Sequence, residues 1–580
     1  MTRDAGESDP TDAPASGATS AVAARGRVRP PRNDHPCRPR RSPPIVRGVD
    51  ALDGFVPWPA EFARRYRTEG YWRGETLGAI GRTVPDRNRT ALVHGDRRWS
   101  YAELDRRADR TAAGLAALGI RRGDRVLVQL PNVAELVQLS LALFRLGALP
   151  VYALAPHRMA ELGHLAELTG ARAYVAPDRF AGFDYRPLAA ELRAANPALA
   201  HVLIVGEPGE FRALSEVDAE PLALPGPAPG DIAFFLLSGG TTGLPKLIPR
   251  THDDYAYQLR ACAEALGVDE RSVYLAALPA AHNAALGCPG VLGTLAVGGT
   301  VVLSPTPSPD DAFGLITAEG VTFTTLMPPL LPVWVDLAPL LEVDLRPVLL
   351  QVGGANLQPE VAYRVLAAGC RLTHWFGMAE GVLSYTRLTD PPDVVAHTQG
   401  RPLAAADEYR VVDADGVDVP PGEVGELLVR GPCTLRGYYR APAYNAEAFT
   451  PDGFLRTGDL VRITEDGNLA VRGRIKDVIN RGGEKIGATE LEDHVGAHPA
   501  VRACAAVAVP DATLGEKICV YLVPRGEPVG LDELRAFLTG RGLAGYKLPD
   551  RLEVVDELPR TSVGKVDKRL LRELGAGAWG

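Results

Sequence analysis

Between residues 125 and 354, short apolar runs recur with helix-length stretches between them. The runs are RVLVQLP (125–131), ARAYVAP (171–177), HVLIVG (201–206), TVVLSP (300–305), VTFTTLMPP (321–329) and VLLQVGG (348–354). Runs this short and this continuously apolar suit strands covered on both faces. Their alternation with helices predicts an α/β protein built on largely parallel sheets. WSYAELDRRADRTAAGLAALGI (99–120) supplies one helix in detail. Ser100 and Glu103 have capping-box spacing, the apolar residues at 104, 108, 112, 115 and 118 keep one face, and Gly119 suits the stop. A second, more apolar helix is expected around 133–147.

After about residue 405 the texture changes. DEYRVVD, GELLVRG and GNLAVRGR, spaced by Gly/Asp turns, read as antiparallel strands of a small β-barrel-like subdomain. Past Arg474 the chain carries strand and helix signals of its own, which places a boundary near GRIKD (473–477). At 580 residues the chain is too long for one simple core. The expectation is a large N-terminal domain over 49–473 and a small, mobile α+β lid over 474–580. Residues 1–48 lack the apolar content for a core. Eight arginines and one acid, Asp34, fall between 25 and 47, so this stretch reads as a disordered basic tail.

Lys and Arg number 63 against 71 Asp and Glu, a formal charge of −8, which argues against a general nucleic-acid binder. The seven cysteines are scattered and form no C-x-x-C pair, which argues against a disulfide framework or a structural zinc site. No apolar run approaches the roughly 18–20 residues of a spanning helix, and the N-terminus has no signal-like apolar core. A cytoplasmic protein without a membrane partner is expected.

FLLSGGTTGLPKLIPRTHDDY (235–255) places Ser238, Gly239, Gly240, Thr241, Thr242, Gly243 and Lys246 directly after an apolar strand. Consecutive glycines let backbone N–H groups approach phosphate oxygens, and the hydroxyls add donors. Lys246 does not follow a glycine, so the spacing of P-loop nucleotidases is absent and a phosphotransferase is disfavoured. Four further segments keep the loop company. WFGMAEG (375–381) offers an aromatic ring and a carboxylate. FLRTGDL (454–460) offers Asp459, GRIKDVINRGGEKI (473–486) offers Arg474, Lys476 and a Gly482–Gly483 turn, and LPRTSVGKVDKRLL (558–571) offers Lys565.

In this order the segments resemble the adenylate-forming superfamily of acyl-CoA synthetases, luciferases and peptide-synthetase adenylation domains, over about residues 55–575. KLIPRTHDDY, AAHNAALGCPG (280–290), QVGGA (351–355) and FGMAEG look like the stand-alone aryl-acid–AMP ligases that act on 2,3-dihydroxybenzoate or salicylate. The resemblance implies attack of a carboxylate on the α-phosphorus of ATP, then transfer of the acyl group to the phosphopantetheine thiol of a separate aryl-carrier protein. An anion attacking a polyanion needs charge neutralisation and positioning. The implied roles are Lys565 at the carboxylate and α-phosphate, Glu380 holding Mg²⁺, and residues 238–246 holding the outer phosphates. Asp459 and Arg474 would take the ribose, and Gly354, Phe376, Gly377 and Met378 the adenine. Lys476 resembles the hinge about which the small domain rotates between half-reactions.

The same resemblance puts His282 near the mouth of the acyl tunnel and Asn283 against an ortho-hydroxyl, with Gly353 in the pocket wall. Cys288 and Leu383 stand where dihydroxybenzoate enzymes tend to have serine and valine, which points to a salicylate-type pocket. Ala284 stands where relatives usually place Tyr or Phe. The space this frees predicts an acid larger than salicylate along that edge, either ring-substituted or bicyclic. An aryl-CoA ligase using free CoA and a non-catalytic nucleotide-binding protein are the competing readings, and monomer and homodimer are both compatible with the chain.

Overall fold

The computed structural model describes residues 52–238, 245–355, 357–481, 484–511, 513–541, 543–561 and 564–577. The tail at 1–48, Gly239, Gly240, Thr241, Thr242 and Gly243 of the loop, and the Gly482–Gly483 turn lie outside this set.

Among the described residues two large sheets carry the α/β part. One has the order Leu247–Thr251, Ile232–Leu237, Leu149–Tyr152, Arg125–Val128, Ala173–Pro177, His201–Val205, Arg212–Ala213. It is parallel except where Ile232–Leu237 meets Leu247–Thr251. The other is parallel from Thr90–His94 through Thr300–Leu303, Val273–Ala276, Phe323–Leu326 and Leu349–Gly353 to Arg371–Met378. It closes with antiparallel strands at both edges. One continuous core joins the facing sides of the sheets, with Val126 and Val128 from one and Leu92, Tyr274 and Val301 from the other. The alternate residues Leu127 and Leu275 face separate outer cores.

Helix Ala134–Leu146 belongs to the shared core and is buried along its length save Glu135 and Gln138. An all-round apolar helix of this kind belongs inside a protein. Truncating its fully buried Phe144 to alanine would cost about 3–5 kcal/mol. Helix Tyr101–Ala117 begins where the sequence places it, with Ser100 Oγ accepting from Glu103 N at 3.2 Å. The return half of the box is not made. The Glu103 carboxylate instead pairs with Arg106 and Arg107 on the outer face.

Glu408–Val412, Gly425–Arg430, Leu455–Ile463 and Leu469–Arg474 form an antiparallel meander. A short turn, Ile475–Asp477, leads to the C-terminal sheet of Glu484–Gly487, Val478–Arg481, Gly515–Pro524, Val501–Asp511 and Arg551–Val554. This sheet has its own core around Ile479, Leu491, Ile518 and Leu534. No helix among the described residues is long and apolar enough to cross a membrane.

Candidate active site

The turn that carries Lys565 is closed by Thr561 N to Lys565 O (2.7 Å) and Gly564 N to Thr561 O (2.8 Å), with Gly564 at φ +80°. This C-terminal turn brings the Lys565 ammonium into the electrostatic field of Glu380, Asp459 and Arg474. Loss of water, then the neighbouring guanidinium, lowers its pKa to about 8. The side chain stays solvent-exposed, so the desolvation is partial.

Asp459 and Arg474 face each other across adjacent strands, with Arg474 Nε donating to Asp459 Oδ1 at 2.7 Å. Burial raises the Asp459 pKa against the pull of Arg474 and Lys565. Burial works against the Arg474 charge too, but Asp459 outweighs it and holds the guanidinium above its usual range. Asp459 Oδ2 is buried without a hydrogen-bond partner among the described residues. An unpaired buried carboxylate oxygen is costly, so the position suits a ligand donor such as a hydroxyl. Asp459 follows Gly458 inside the strand Leu455–Ile463.

Glu380 is 6% exposed, and its Oε1 accepts from Tyr438 Oη at 2.8 Å. Burial raises its pKa; the Tyr438 bond and the charges of Arg474 and Lys565 oppose this. Tyr438 packs edge-on against Tyr444 at 5.1 Å, and Lys246 Nζ sits 4.0 Å from the centre of the Tyr444 ring. The two tyrosines therefore link the loop lysine to the buried acid. Ser238 ties the loop ends together, since Lys246 N donates to its Oγ (3.0 Å) and Ser238 N donates to Lys246 O (2.9 Å). Gly381 follows Glu380 at φ +96°, where a Cβ would lie 1.6 Å from the Cys433 carbonyl oxygen. The backbone beside the acid is thereby fixed.

Among the described residues no group of three or more His, Cys, Asp or Glu is placed to hold a metal ion. Mg²⁺ prefers oxygen ligands and often takes one or two carboxylates plus substrate phosphates and waters. Glu380, with one oxygen held by Tyr438, fits that donor set.

Asn132 fastens the segment that leads to His282. Its Nδ2 donates to the carbonyls of Ala276, Leu278 and Ser304 at 2.9–3.0 Å, and its Oδ1 accepts from Ala280 N. The chain then enters the short helix Asn283–Gly287, capped by His282, whose Nδ1 accepts from Ala284 N at 3.3 Å. Burial, then Lys565, lowers the His282 pKa to about 4. The ring is thus neutral near pH 7, with its proton on Nε2. Asn283 Oδ1 accepts from Tyr255 Oη at 2.9 Å, and its Nδ2 meets Cys288 Sγ at 3.6 Å. Ala284 is 4% exposed and Cys288 fully buried. The Cys288 carbonyl accepts from Gln351 Nε2 (2.6 Å) and Tyr385 Oη (3.2 Å). These contacts bring the helix Asn283–Gly287, through the Cys288 that follows it, to the strands that carry Gly353 and Leu383.

Register puts Gly353, Trp375, Gly377, Leu383 and Tyr385 on one face of the sheet and Phe376 on the other. A Cβ at Gly353 would lie 2.4 Å from the Trp375 carbonyl oxygen and 2.6 Å from its indole; one at Gly377 would lie 2.7 Å from the same ring. Both glycines make room for Trp375, which stacks on Tyr385 at 6.0 Å. Gly354 takes φ +81° beside Met327, and Met378 ends the strand. Lys476 sits in the turn before the C-terminal sheet. Burial, then Arg474, lowers its pKa, and Arg572 donates to its carbonyl (3.4 Å) and to Asp477 Oδ1 (2.5 Å).

Sequence reasoning missed Trp375, Tyr438 and Tyr444, and it missed a buried polar stripe. Arg250 is 0% exposed, pairs with Asp254 at 2.8 Å, and donates to the carbonyls of Ala379 (3.0 Å) and Cys433 (3.2 Å). It also donates to Gln258 Oε1 at 2.8 Å. Polar residues at 250, 254 and 258, four apart on and before the helix His252–Leu266, were the available signal.

An AMP-binding enzyme family model matches residues 82–439, and an AMP-binding enzyme C-terminal domain model matches 490–565. The chain belongs to the AMP-binding enzyme family. It is 54% identical to a 2,3-dihydroxybenzoate-AMP ligase of Bacillus subtilis, covering 90% of this chain and 98% of that one. It is 51% identical to a salicyl-AMP ligase / salicyl-S-ArCP synthetase of Mycobacterium tuberculosis (90% and 95%). It is 47% identical to a 2-hydroxy-7-methoxy-5-methyl-1-naphthoate–CoA ligase of Streptomyces carzinostaticus (90% and 96%). Among solved structures it matches apo MbtA of Mycobacterium smegmatis with TM-score 0.70 at 51% identity, covering 90% of this chain and 99% of that one. MatB of Rhodopseudomonas palustris, 27% identical, matches with TM-score 0.80 when ATP-bound and 0.70 when apo, each over 87% of this chain and 100% of that one.

Proposed function

We propose that the protein is an aryl-acid–AMP ligase. It activates an ortho-hydroxy aryl carboxylic acid with ATP and passes the acyl group to the phosphopantetheine thiol of a separate aryl-carrier protein. The observation that carries this reading is the Arg474–Asp459 pair, which leaves Asp459 Oδ2 buried and unpaired among the described residues, in the electrostatic field shared with Lys565 and Glu380. Two buried acids and two cations, joined by Lys476, leave a surplus of positive charge where two anionic reactants must meet.

The carboxylate oxygen attacks the α-phosphorus and the bond to pyrophosphate breaks, giving the acyl-adenylate. Lys565 neutralises charge on the carboxylate and α-phosphate. Asp459 accepts from the ribose hydroxyls through its free Oδ2. Ser238 and Lys246 flank the loop that takes the outer phosphates, Phe376 with Gly354, Gly377 and Met378 borders the adenine, and neutral His282 stands at the mouth of the acyl tunnel. Mg²⁺ held by Glu380 would offset phosphate charge. The thiol sulfur then attacks the acyl carbon and AMP leaves.

The three relatives are named for 2,3-dihydroxybenzoate, salicylate and a 2-hydroxy-1-naphthoate, and all three acids carry a hydroxyl next to the carboxyl. This supports an ortho-hydroxy acid, read by Asn283, in a pocket that also includes Ala284, Cys288, Gly353 and Leu383. The better match to ATP-bound than to apo MatB supports an arrangement set for the first half-reaction, with Lys565 inward. Rotation of a small domain, residues 474–580, about Lys476 would then clear the site for the thiol.

The decisive experiment is exchange of labelled pyrophosphate into ATP across benzoates, salicylates, picolinates and quinaldates. Ortho-hydroxy acids should support it, and failure of every one of them overturns the reading. Free CoA is the second acceptor to test, because one relative is named as a CoA ligase. Comparing thioester formation on CoA and on a holo aryl-carrier protein separates the two.

A further inference from the structure

We propose that Arg250 and Gln258 fix the polarity of the Asn283 carboxamide, turning its Nδ2 hydrogens toward the acyl pocket. The site then selects aryl acids whose ortho substituent accepts a hydrogen bond. This rests on the placement of Asn283 against the ortho position and names the atom that faces it there.

A terminal amide has two orientations, and its neighbours decide between them. Gln258 has no choice. Its Oε1 meets Arg250, which can only donate, at 2.8 Å, and its Nε2 meets the Gly287 carbonyl, which can only accept, at 2.9 Å. Turning the amide over would set two donors against each other at one end and two acceptors at the other. Arg250 cannot yield, because Asp254 and the carbonyls of Ala379 and Cys433 hold it inside the core.

The same Gln258 nitrogen lies 3.4 Å from Asn283 Oδ1, and Tyr255 Oη lies 2.9 Å from that oxygen. A hydroxyl serves either orientation, so Tyr255 does not decide; the committed Gln258 does. Gly287 lets the hydroxyl in, since a Cβ there would lie 2.1 Å from it. With its oxygen engaged twice, Asn283 keeps Nδ2 for a ligand. Cys288 Sγ at 3.6 Å is only a weak acceptor.

In salicylate the hydroxyl gives its hydrogen to the adjacent carboxylate and turns lone pairs outward, which matches an N–H. In anthranilate the nitrogen lone pair is drawn into the ring and both hydrogens donate, so N–H meets N–H. Benzoate leaves the N–H unpaired. A mismatch of this kind at a buried site corresponds to about ten- to a hundredfold in selectivity.

Acid-dependent pyrophosphate exchange is measured with salicylate, anthranilate and benzoate on the wild type, Asn283→Ala, Gln258→Glu and Gln258→Leu. Ratios of kcat/KM are taken within each preparation, so the folded fraction cancels. The wild type should prefer salicylate to anthranilate by at least about tenfold. Gln258→Glu removes the Nε2 donor that Asn283 Oδ1 and the Gly287 carbonyl share, which leaves only Tyr255, indifferent to orientation, against the Asn283 carboxamide. The salicylate-to-anthranilate ratio should then fall by about tenfold or more, through the KM for the acid and with the KM for ATP unchanged. Gln258→Leu should lower the ratio less. If Asn283→Ala abolishes the preference for salicylate over benzoate while both Gln258 variants keep the wild-type ratio to anthranilate, the polarity mechanism is wrong and the placement of Asn283 stands. If Asn283→Ala leaves the salicylate-to-benzoate ratio untouched, the placement fails and the proposal with it. Should neither Gln258 variant fold, the wild type decides, and equal or better use of anthranilate overturns the proposal.

Discussion

Arg474 engages one oxygen of the Asp459 carboxylate at 2.7 Å and leaves the other, Oδ2, buried and unpaired among the described residues. The guanidinium aims the acid and opposes the burial that raises its pKa, and the second oxygen is the one available to a ligand. Asp459→Asn preserves the shape; with its oxygen kept by Arg474 it turns an NH2 toward the ribose in place of the free acceptor Oδ2. We expect KM for ATP to rise about tenfold or more, in line with loss of a charge-assisted hydrogen bond. Replacing ATP by 2′-deoxy-ATP should penalise the wild type more than the variant. Equal penalties would remove Asp459 from the ribose.

With the Lys565 pKa lowered to about 8, the free enzyme loses this charge as pH rises through that value. Because the exposed side chain keeps part of its water, the profile of kcat/KM for adenylation should fall on the alkaline side between about pH 8 and the ordinary lysine value near 10.4. Bound anions favour the ammonium, so the corresponding limb in kcat should lie higher. Lys565→Arg, which stays charged, should abolish the limb. Lys565→Ala should lower the rate roughly a hundred- to a thousandfold, about 3–4 kcal/mol of transition-state stabilisation.

His252 and His374 are almost fully enclosed, and burial lowers their pKa values to about 3 and about 4. Their folded values lie below the unfolded one, so the unfolded chain binds more protons as pH drops below 6.5. Stability is then lost as pH falls toward the folded values. Between pH 7 and 5 each should remove about 2 kcal/mol. Thermal unfolding followed over that range checks it: His252→Asn should start lower at pH 7 and show a shallower decline.

Arg250→Ala leaves the enclosed Asp254 carboxyl without its partner, which should cost about 3–5 kcal/mol in denaturant unfolding. The double variant Arg250→Met with Asp254→Leu should recover a measurable part of that stability. It should not recover acid selectivity, because Gln258 loses its anchor.

Ala284→Tyr should close one edge of the acyl pocket. Ring-methylated and bicyclic 2-hydroxy acids should lose about tenfold or more in kcat/KM relative to salicylate. An unchanged ranking would show that Ala284 does not set the width of the site.

The strands within 125–131, 171–177, 201–206, 300–305, 321–329 and 348–354 were readable because each is a short apolar run with breakers at its ends, and helix Tyr101–Ala117 because periodicity and cap agree; the parallel strands Thr90–His94, Leu149–Tyr152 and Val273–Ala276 were not singled out. Local spacing could not reveal where the Glu103 carboxylate goes, since Arg106 and Arg107 compete for it. The members of the charged cluster could each be named from short segments, and the resemblance assigned their roles. What holds them in place was not legible. Arg250 sits at a strand–helix junction, and its carbonyl partners Ala379 and Cys433 are 129 and 183 residues away. Tyr438 and Tyr444, which link Lys246 to Glu380, lie in a stretch with no motif of its own. Long-range hydrogen bonds between dissimilar segments leave no periodic trace in a sequence.

Gly353 and Gly377 lie under the Trp375 indole, and Gly381 presses on the Cys433 carbonyl. None of the three positions has room for so much as a methyl group. If these residues border the acyl pocket as proposed, change in the choice of acid falls to Leu383 on the same face and to the short helix that begins at Asn283. The backbone that carries Glu380 admits no comparable change, since Gly381 is closed in by Cys433.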